Sequence, residues 1–529
     1  MSACPARRSS RAALLTAAMT AFAASVAPAG AHAAGFYVGD VGVRGLARGG
    51  AFVAAPDSPL ALHYNPGALT LLPKGLSVEI DLSAVSLDYR FDRRCPCVSP
   101  SNPDAARLDA ELSASPAFNE VSINQAGPQP IPFVMAAYQF EPMKLTIGVG
   151  AYGLTSPGRL RYGELDANLN TQAQRYSLVG LELFEAFYNL GAAIEPIPGL
   201  RIGGVAQLYE LRVTQRLALW ANSATFASTP EDDRFDIPVT LAFAAPLRLN
   251  WSLGVSYTPQ FFPNLSIGVS ALGKRSSRAN GTVDIGVPRI IADVGGRVDG
   301  RNVEVELNLP ATLRGGIEYR QPGIFKAEAA VVVEAWEVYD QVVVRNKDVG
   351  IVIGTQRQDL GTIVIPTRFR NTYSIRVGGE LDLFEPWLGV RAGYFFEPGA
   401  IADANLDGAA PDLTKHGFGF GLSTTFYGTR LEVGGAVVVM PSTTVRDSTR
   451  QMAGPLVPPI GSDALLTTIG NGTYSGSYFI GGASLSFSLE RLWSSLEPAA
   501  SGAGAPSEPP APPTPATPDA PVVTAPNAS

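Results

Sequence analysis
The sequence predicts an all-β protein: a 14-stranded antiparallel transmembrane β-barrel with an N-terminal hatch inside its lumen. Two observations predict it. Fourteen stretches of alternating apolar and polar residues run from Gly75 to Glu490, and the gaps between them alternate short and long. Alternation at period two gives each strand one face for lipid and one for the lumen. Tight turns at one rim and long loops at the other describe a barrel of which only one rim faces outside. A soluble sandwich has no physical reason to keep that asymmetry.

The short gaps are Glu141-Pro142-Met143, Pro196-Ile197-Pro198-Gly199, Pro259 to Pro263, Gln321-Pro322-Gly323, Phe384-Glu385-Pro386 and Tyr427-Gly428. The long ones are Asp92 to Pro130, Ser156 to Ala173, Trp220 to Asp236, Ser276 to Gly300, Gln341 to Thr362, Pro398 to Thr414 and Pro441 to Gly472. Between 301 and 320, Val303, Val305, Leu307, Leu309, Leu313 and Ile317 read as one lipid face. Glu304, Glu306, Thr312, Arg314, Glu318 and Arg320 oppose them on the lumen side. The next strand sets Phe325, Ala329 and Val333 against Lys326, Glu328 and Glu334. Further on, Phe369, Tyr373, Ile375 and Val377 oppose Arg368, Arg370, Arg376 and Glu380, and Val390, Ala392 and Tyr394 oppose Arg391. Charges turned inward are costly in lipid but cheap in a wet or self-paired lumen. Aromatics near strand ends (Tyr89 and Phe91, Phe261 and Phe262, Trp336 and Tyr339, Trp387) suit interfacial girdles.

Composition agrees. The chain is 46% apolar and 16% charged with 55 Gly and 43 Pro, too many breakers for long helices. Outside the N-terminus no run approaches the ~20 apolar residues a membrane helix needs. Arg7, Arg8 and Arg11, the apolar run Ala12 to Val26 and Ala31-His32-Ala33 read as a secretory signal over residues 1–33. Its removal takes three arginines and moves the formal charge from −7 to −10. An exported chain meets an oxidising compartment, so Cys95 and Cys97 are candidates for a disulfide that clips the first long loop.

Residues 34–74 are small and apolar without alternation, too few for an independent domain, and precede a barrel with a wide bore. They are expected to fold inside it as the hatch; residues 75–493 form the barrel. Residues 494–529 form a Pro/Ala-rich tail, expected to be disordered in the periplasm. A passive spacer and contact with the cell wall are the two readings of it. The last strand ends Gly482-Ala483-Ser484-Leu485-Ser486-Phe487, which resembles the signal read by barrel-assembly machinery, although a tail follows it here. Outer-membrane lipid and lipopolysaccharide are the expected surroundings.

Gly35-Phe36, Gly45 to Ala51 and Tyr64-Asn65-Pro66-Gly67 resemble the hatch of the long-chain fatty acid transporters, the FadL/TodX type. Leu309-Pro310-Ala311-Thr312, Glu334-Ala335-Trp336, Asn371-Thr372-Tyr373-Ser374, Arg391-Ala392-Gly393-Tyr394 and Pro411-Asp412 with Lys415-His416 extend the likeness in order over nearly all of residues 35–490. The family motif reads Asn-Pro-Ala where this chain has Gly67. The resemblance implies passive uptake of hydrophobic molecules such as long-chain fatty acids. Loops capture the ligand, an apolar pocket holds it, and it leaves sideways through a kinked third strand. It also implies that Phe36 and Tyr37 meet ligand or gate, and that Asn65, Pro66 and Gly67 hold the hatch.

In the third strand, Gly148, Gly150 and Gly153 are candidates for the kink, since glycine permits bends; making room for the hatch is the alternative. A ligand carboxylate would call for a lumen arginine. Arg314, Arg376 and Arg391 are the candidates, with internal charge pairing as the commoner explanation. The rival functions are a diffusion porin for polar solutes and an outer-membrane lipid hydrolase. After signal removal only His63 and His416 remain, which leaves little from which to build a catalytic triad. No cofactor, metal site or nucleic-acid partner is expected. Asp403 to Gly408 opens like a calcium loop but has Thr414 where glutamate is required, and Glu231-Asp232-Asp233 reads as a solvated turn.

Overall fold
In the computed structural model fourteen strands close one antiparallel barrel. They are β1 (Gly75–Arg93), β2 (Gln129–Gln139), β3 (Thr146–Gly153, resuming at Arg159–Arg161), β4 (Gly180–Ile197), β5 (Leu200–Trp220), β6 (Asp236–Tyr257) and β7 (Leu265–Leu272 and Arg275–Ile285). The rest are β8 (Asn302–Leu309 and Thr312–Gln321), β9 (Phe325–Glu334 and Gln341–Asn346), β10 (Ile363–Pro366 and Thr372–Phe384), β11 (Leu388–Glu397), β12 (Lys415–Phe426), β13 (Thr429–Val445) and β14 (Gly472–Ser488). β14 returns to β1 from Ser77↔Ser488 to Arg93↔Gly472, so no sheet edge is left. The structure describes residues 38–490 except 116–117, 119–120, 142–143, 154–157, 164–171, 221–229, 288–291, 294, 385–386, 409–411 and 453–466. The expected signal peptide, the tail, and the Phe36 and Tyr37 contacts lie outside the described residues.

β5 has 21 residues and β6 has 22, about twice the ~9–11 that cross a bilayer. Half of each wall therefore stands above the membrane, and the residues show where the change falls. In β1 the inward positions read Ser77, Glu79, Asp81 and Ser83, then Val85, Leu87, Tyr89 and Phe91, all buried. Its outward positions change the opposite way, from exposed Ile80 and Leu82 to an Asp88–Arg90 pair at 3.1 Å. Near the short turns the barrel is apolar outside and polar inside. Near the long loops it is polar outside and apolar inside.

Several strands make the change by breaking phase. β6 shifts register against β5 between Tyr209 and Leu211. Above the shift Ile237, Val239, Leu241 and Phe243 face in; below it Asn250, Ser252 and Ser256 do. β7 breaks at Gly273-Lys274 and β8 at Pro310-Ala311. The single lipid face read across residues 301–320 is therefore corrected. Val303, Val305, Leu307 and Leu309 are buried in the lumen, while Leu313 and Ile317 face lipid. Two residues outside the ladder turn the parity over, and proline supplies a break because it cannot donate to a neighbour.

The same two-zone plan corrects three further expectations. Tyr89, Phe91 and Trp336 are buried, not interfacial, and Phe369 packs on Trp336 at 5.2 Å. Exposed Phe261, Trp387, Phe426 and Tyr427 leave a girdle at the short-turn rim. Strands also run on into the expected loops, β7 to Ile285, β9 to Asn346 and β13 to Val445. Glu231 is not solvated: it is buried and pairs with Arg93 at 2.6 Å in the outer loops. Cys95 and Cys97 form a disulfide.

Candidate functional site
Three parts stack along the barrel axis: a hatch, an apolar chamber above it, and a window in the wall beside both. The hatch contains α1 (Val43–Ala47), α2 (Ala61–Tyr64) and a 3-10 turn over Pro66–Leu71. Short helices inside a barrel hold position only through their contacts, and here ion pairs supply many of them. Arg48 is fully buried and meets Glu318 at 2.8 Å, Glu380 at 3.1 Å and Glu328 at 3.4 Å. Arg44 pairs with Glu380 and Asp57, both at 2.8 Å, and Lys326 reaches Asp57 at 2.6 Å. Glu328 also accepts from the Val53 amide at 2.6 Å.

Asn65 works through neutral bonds. Its Nδ2 donates to the Val53 and Val255 carbonyls at 2.8 and 2.9 Å, and its Oδ1 accepts from the Gly67 amide at 3.1 Å. Pro66 opens the 3-10 turn, where its missing N–H costs nothing. Gly67 lies flat on the wall: a Cβ there would stand 2.8 Å from the Gly254 carbonyl oxygen. The glycine in place of the family's alanine thus permits closer docking. This turn packs over β4, β5 and β6, while Leu62 of α2 reaches β3 at Gly148.

Wall glycines make the same allowance for α1. A Cβ on Gly393 would lie 2.0 Å from the Arg48 carbonyl carbon, and one on Gly378 would lie 2.0 Å from its oxygen. Backbone cannot give way as a flexible side chain can. Gly393→Ala is expected to displace α1 and cost about 1–3 kcal/mol or more. Thermal unfolding and susceptibility of the hatch to protease check it; an unchanged midpoint with a protected hatch would show that the contact is slack.

The three candidate arginines part company. Arg376 pairs with Asp40 of the hatch and with Glu397 at 3.6 Å. Arg391 pairs with Glu432 at 2.9 Å and Glu380 at 3.5 Å. Both are therefore held in internal pairs. Arg314 has no carboxylate in ion-pair range among the described residues; it donates to the His63 carbonyl at 3.4 Å, and its guanidinium lies 3.4 Å from His63 Nε2, which is 3.2 Å from the Gly39 carbonyl. Burial and the charge of Arg314 hold His63 well below its ordinary pKa, so its ring is neutral. His63 Nδ1 bonds Tyr152 at 2.9 Å, and His416 Nδ1 bonds Tyr394 at 2.9 Å. Neither histidine is bonded to a serine among the described residues, so no triad is assembled. The group formed by Cys95, Cys97 and Asp109 offers no thiolate for a metal, because its sulfurs are bonded to each other.

Above the hatch is a cavity of ≈ 140 Å³ lined chiefly by Leu183, Leu211, Leu241, Phe243, Leu307 and Phe369. Beside it a second cavity lies at the wall. Among the described residues β2 pairs with β3 as far as Phe133↔Tyr152, and Gln129 to Pro132 pair with β1; residues 154–157, which follow Gly153, lie outside them. Pro130 and Pro132 lack the N–H that another neighbour would need. On the far side, five residues separate Gly153 from Arg159 while three separate their partners Ala186 and Glu182. The ladder resumes above, where the Gln125 amide donates to the Arg161 carbonyl at 2.7 Å. Between the described parts of β3 a cavity of ≈ 1040 Å³ lies at the wall, and it is the candidate window.

Of the three candidate glycines, Gly148 and Gly150 sit in regular pairing and Gly153 borders the interruption. Gly148 faces Leu62 of the hatch, and a Cβ on Gly150 would meet Met135 at 2.5 Å. Two further features belong to the site. One is the Pro130-x-Pro132 pattern in a strand, a legible signal of an unpaired edge. The other is Glu185, paired with Arg275 at 2.6 Å, which lines both cavities with Leu183; nothing in the sequence marks it.

Fold and site together define the class: a transmembrane β-barrel closed by an internal hatch, with an apolar chamber and a second cavity at its wall. Known structures share this fold. A Pseudomonas aeruginosa FadL homologue superimposes with a TM-score of 0.66 over 86% of this chain and 100% of its own, at 13% identity. The Ralstonia pickettii toluene transporter TbuX gives 0.55 over 86% and 99% at 16% identity. The Pseudomonas putida toluene transporter TodX gives 0.56 over 85% and 99% at 15% identity. No family model and no curated protein matches the sequence.

Proposed function
We propose that this chain carries hydrophobic molecules across the outer membrane passively: the chamber takes them up and the window releases them into the bilayer. The observation that carries this reading is that chamber and window share Leu183 and Glu185 in their linings, so the apolar chamber adjoins a cavity that reaches the lipid face. The energetics favour such a path. Moving an apolar group through water forfeits roughly 0.8 kcal/mol per methylene, whereas a sideways exit keeps the molecule in apolar surroundings. The barrel's own chemistry agrees, since its outer half is apolar inside, the reverse of a water-filled pore. The solved structures titled as toluene transporters and a FadL homologue support the same class of cargo. The fit is to a transporter, not an enzyme, and the hatch with its ion pairs speaks against a porin.

Two assays on reconstituted protein test this. Cells or vesicles carrying the chain should take up radiolabelled apolar solutes faster than controls, while swelling in sugars stays at the level of protein-free liposomes. Rapid sugar swelling without apolar uptake would return the protein to the diffusion pores.

A further inference from the structure
The wall is also broken between β6 and β7. These strands are laddered from Val239↔Ile285 to Phe243↔Gly281, and again from Ser252↔Leu272 to Tyr257↔Ile267. Both stretches keep one register, so Ala244 to Trp251 face Gly273 to Asn280. The Gly273 amide donates to the Trp251 carbonyl at 2.9 Å at the lower end, and above it no ladder pair joins the facing residues among those described. On their other sides the strands are held, β6 by β5 apart from its register shift and β7 by β8 from Arg275 on. The break is therefore a seam between two intact flanks. Pro246, which cannot donate a bond, sits in it. Backbone groups that face lipid need partners within the protein, and here side chains supply them. The Tyr209 hydroxyl reaches across from β5, donating to the Ser276 carbonyl at 2.9 Å and lying 3.2 Å from Ser277 Oγ. Arg248 donates to the Arg278 carbonyl and Asn250 Nδ2 to the Gly273 carbonyl, both at 3.1 Å.

Both lips of the seam border the chamber. Phe243 lines it at the upper end, and Ala245 is the ladder partner of Leu211 in its lining. Across the seam, Arg275 and Ser277 are the ladder partners of Leu309 and Leu307, which line it too. Outside, Leu247, Leu249 and Trp251 turn to lipid, with Leu249 74% exposed. We infer that this seam is a second lateral portal: hydrophobic molecules held in the chamber also pass between β6 and β7 into the bilayer, and the Tyr209 side chain is its latch. The inference rests on the transport route proposed above and adds a separate exit, since no residue lining the candidate window belongs to β6 or β7. Parting an ordinary pair of strands breaks a run of backbone bonds. Parting this seam breaks a few side-chain bonds, each of modest net strength, and leaves both flanking ladders whole.

The test measures uptake of radiolabelled naphthalene by liposomes carrying the full chain, with heat-modified gel mobility showing that each variant is folded. Tyr209→Phe removes the latch bonds and keeps the ring; uptake should rise several-fold while swelling in sugars stays unchanged. Arg248→Met, which removes a second bridge, should raise uptake by a smaller factor. Ala245→Cys with Ala279→Cys places two thiols at facing positions of the seam. Added to Tyr209→Phe and oxidised, this pair should return uptake to the wild-type rate, and reduction should restore the rise. Wild-type uptake in Tyr209→Phe and Arg248→Met alike would overturn the inference, as would a rise that the oxidised pair leaves in place or one accompanied by sugar swelling. Each of these leaves the transport reading standing, because the unaltered protein still carries naphthalene. No uptake by the unaltered protein would remove that reading and the portal with it.

Discussion
Arg48→Met is expected to loosen the hatch by about 3–5 kcal/mol, the range for removing one member of a buried ion-pair network. Glu318, Glu328 and Glu380 surround this one guanidinium at 2.8 to 3.4 Å, and the arginine is fully buried. Taking it away leaves Glu328 with only the Val53 and Ala54 amides, while Glu318 keeps Arg320 and Glu380 keeps Arg44 and Arg391, so the penalty falls mostly on Glu328 and on the mutual repulsion of the acids. The barrel ladder does not involve this side chain and should survive. The readouts are protease cutting within the hatch and faster swelling of liposomes in small sugars. A companion variant separates charge from packing: Arg48→Met with Glu318→Leu and Glu328→Leu should recover part of the loss, since apolar replacement of a buried ion-pair group is often neutral and Glu380 keeps Arg44. If the single variant keeps both hatch protection and slow swelling, the ion pairs do not hold the hatch.

The second large effect concerns the window. Removing two residues between Gly153 and Arg159 equalises the spacing with Ala186 and Glu182 on β4 and should let the ladder run unbroken. Changing Pro130 and Pro132 to Thr in the same protein restores donors to the free edge of β2. With the wall sealed, uptake of apolar solutes is expected to drop more than about tenfold, a change of over ~1.4 kcal/mol in the barrier. Stability should hold or rise, because strand pairs are added. Unimpaired uptake in a folded, sealed barrel would mean that cargo leaves by another path.

How much of this was legible in the sequence differs from part to part. The strand count, the short turns and the hatch segment were readable because each depends on local chemistry. Turns declare themselves through Gly and Pro, and alternation needs only the chain itself. Facing was readable only where a strand keeps phase. Glu328 and Glu334 were placed correctly in β9, whereas Val303 to Leu309 in β8 were turned outward in error, because Pro310-Ala311 reverses the parity.

The site was less legible still. Asn65 stands out in the sequence, but the carbonyls it bonds, Val53 and Val255, lie 12 and 190 residues away. Arg376 and Arg391 were recognisable as lumen charges, yet their acids come from the hatch and from other strands. No spacing rule links Glu185 to Arg275, 90 residues apart.

The chain by itself determined a barrel wall, its turns and a plug segment, since these follow from residue periodicity and the cost of exposing polar backbone to lipid. Closure decided the rest. Only when β14 meets β1 do distant inward residues share one lumen, where apolar faces become a chamber and lone charges become pairs.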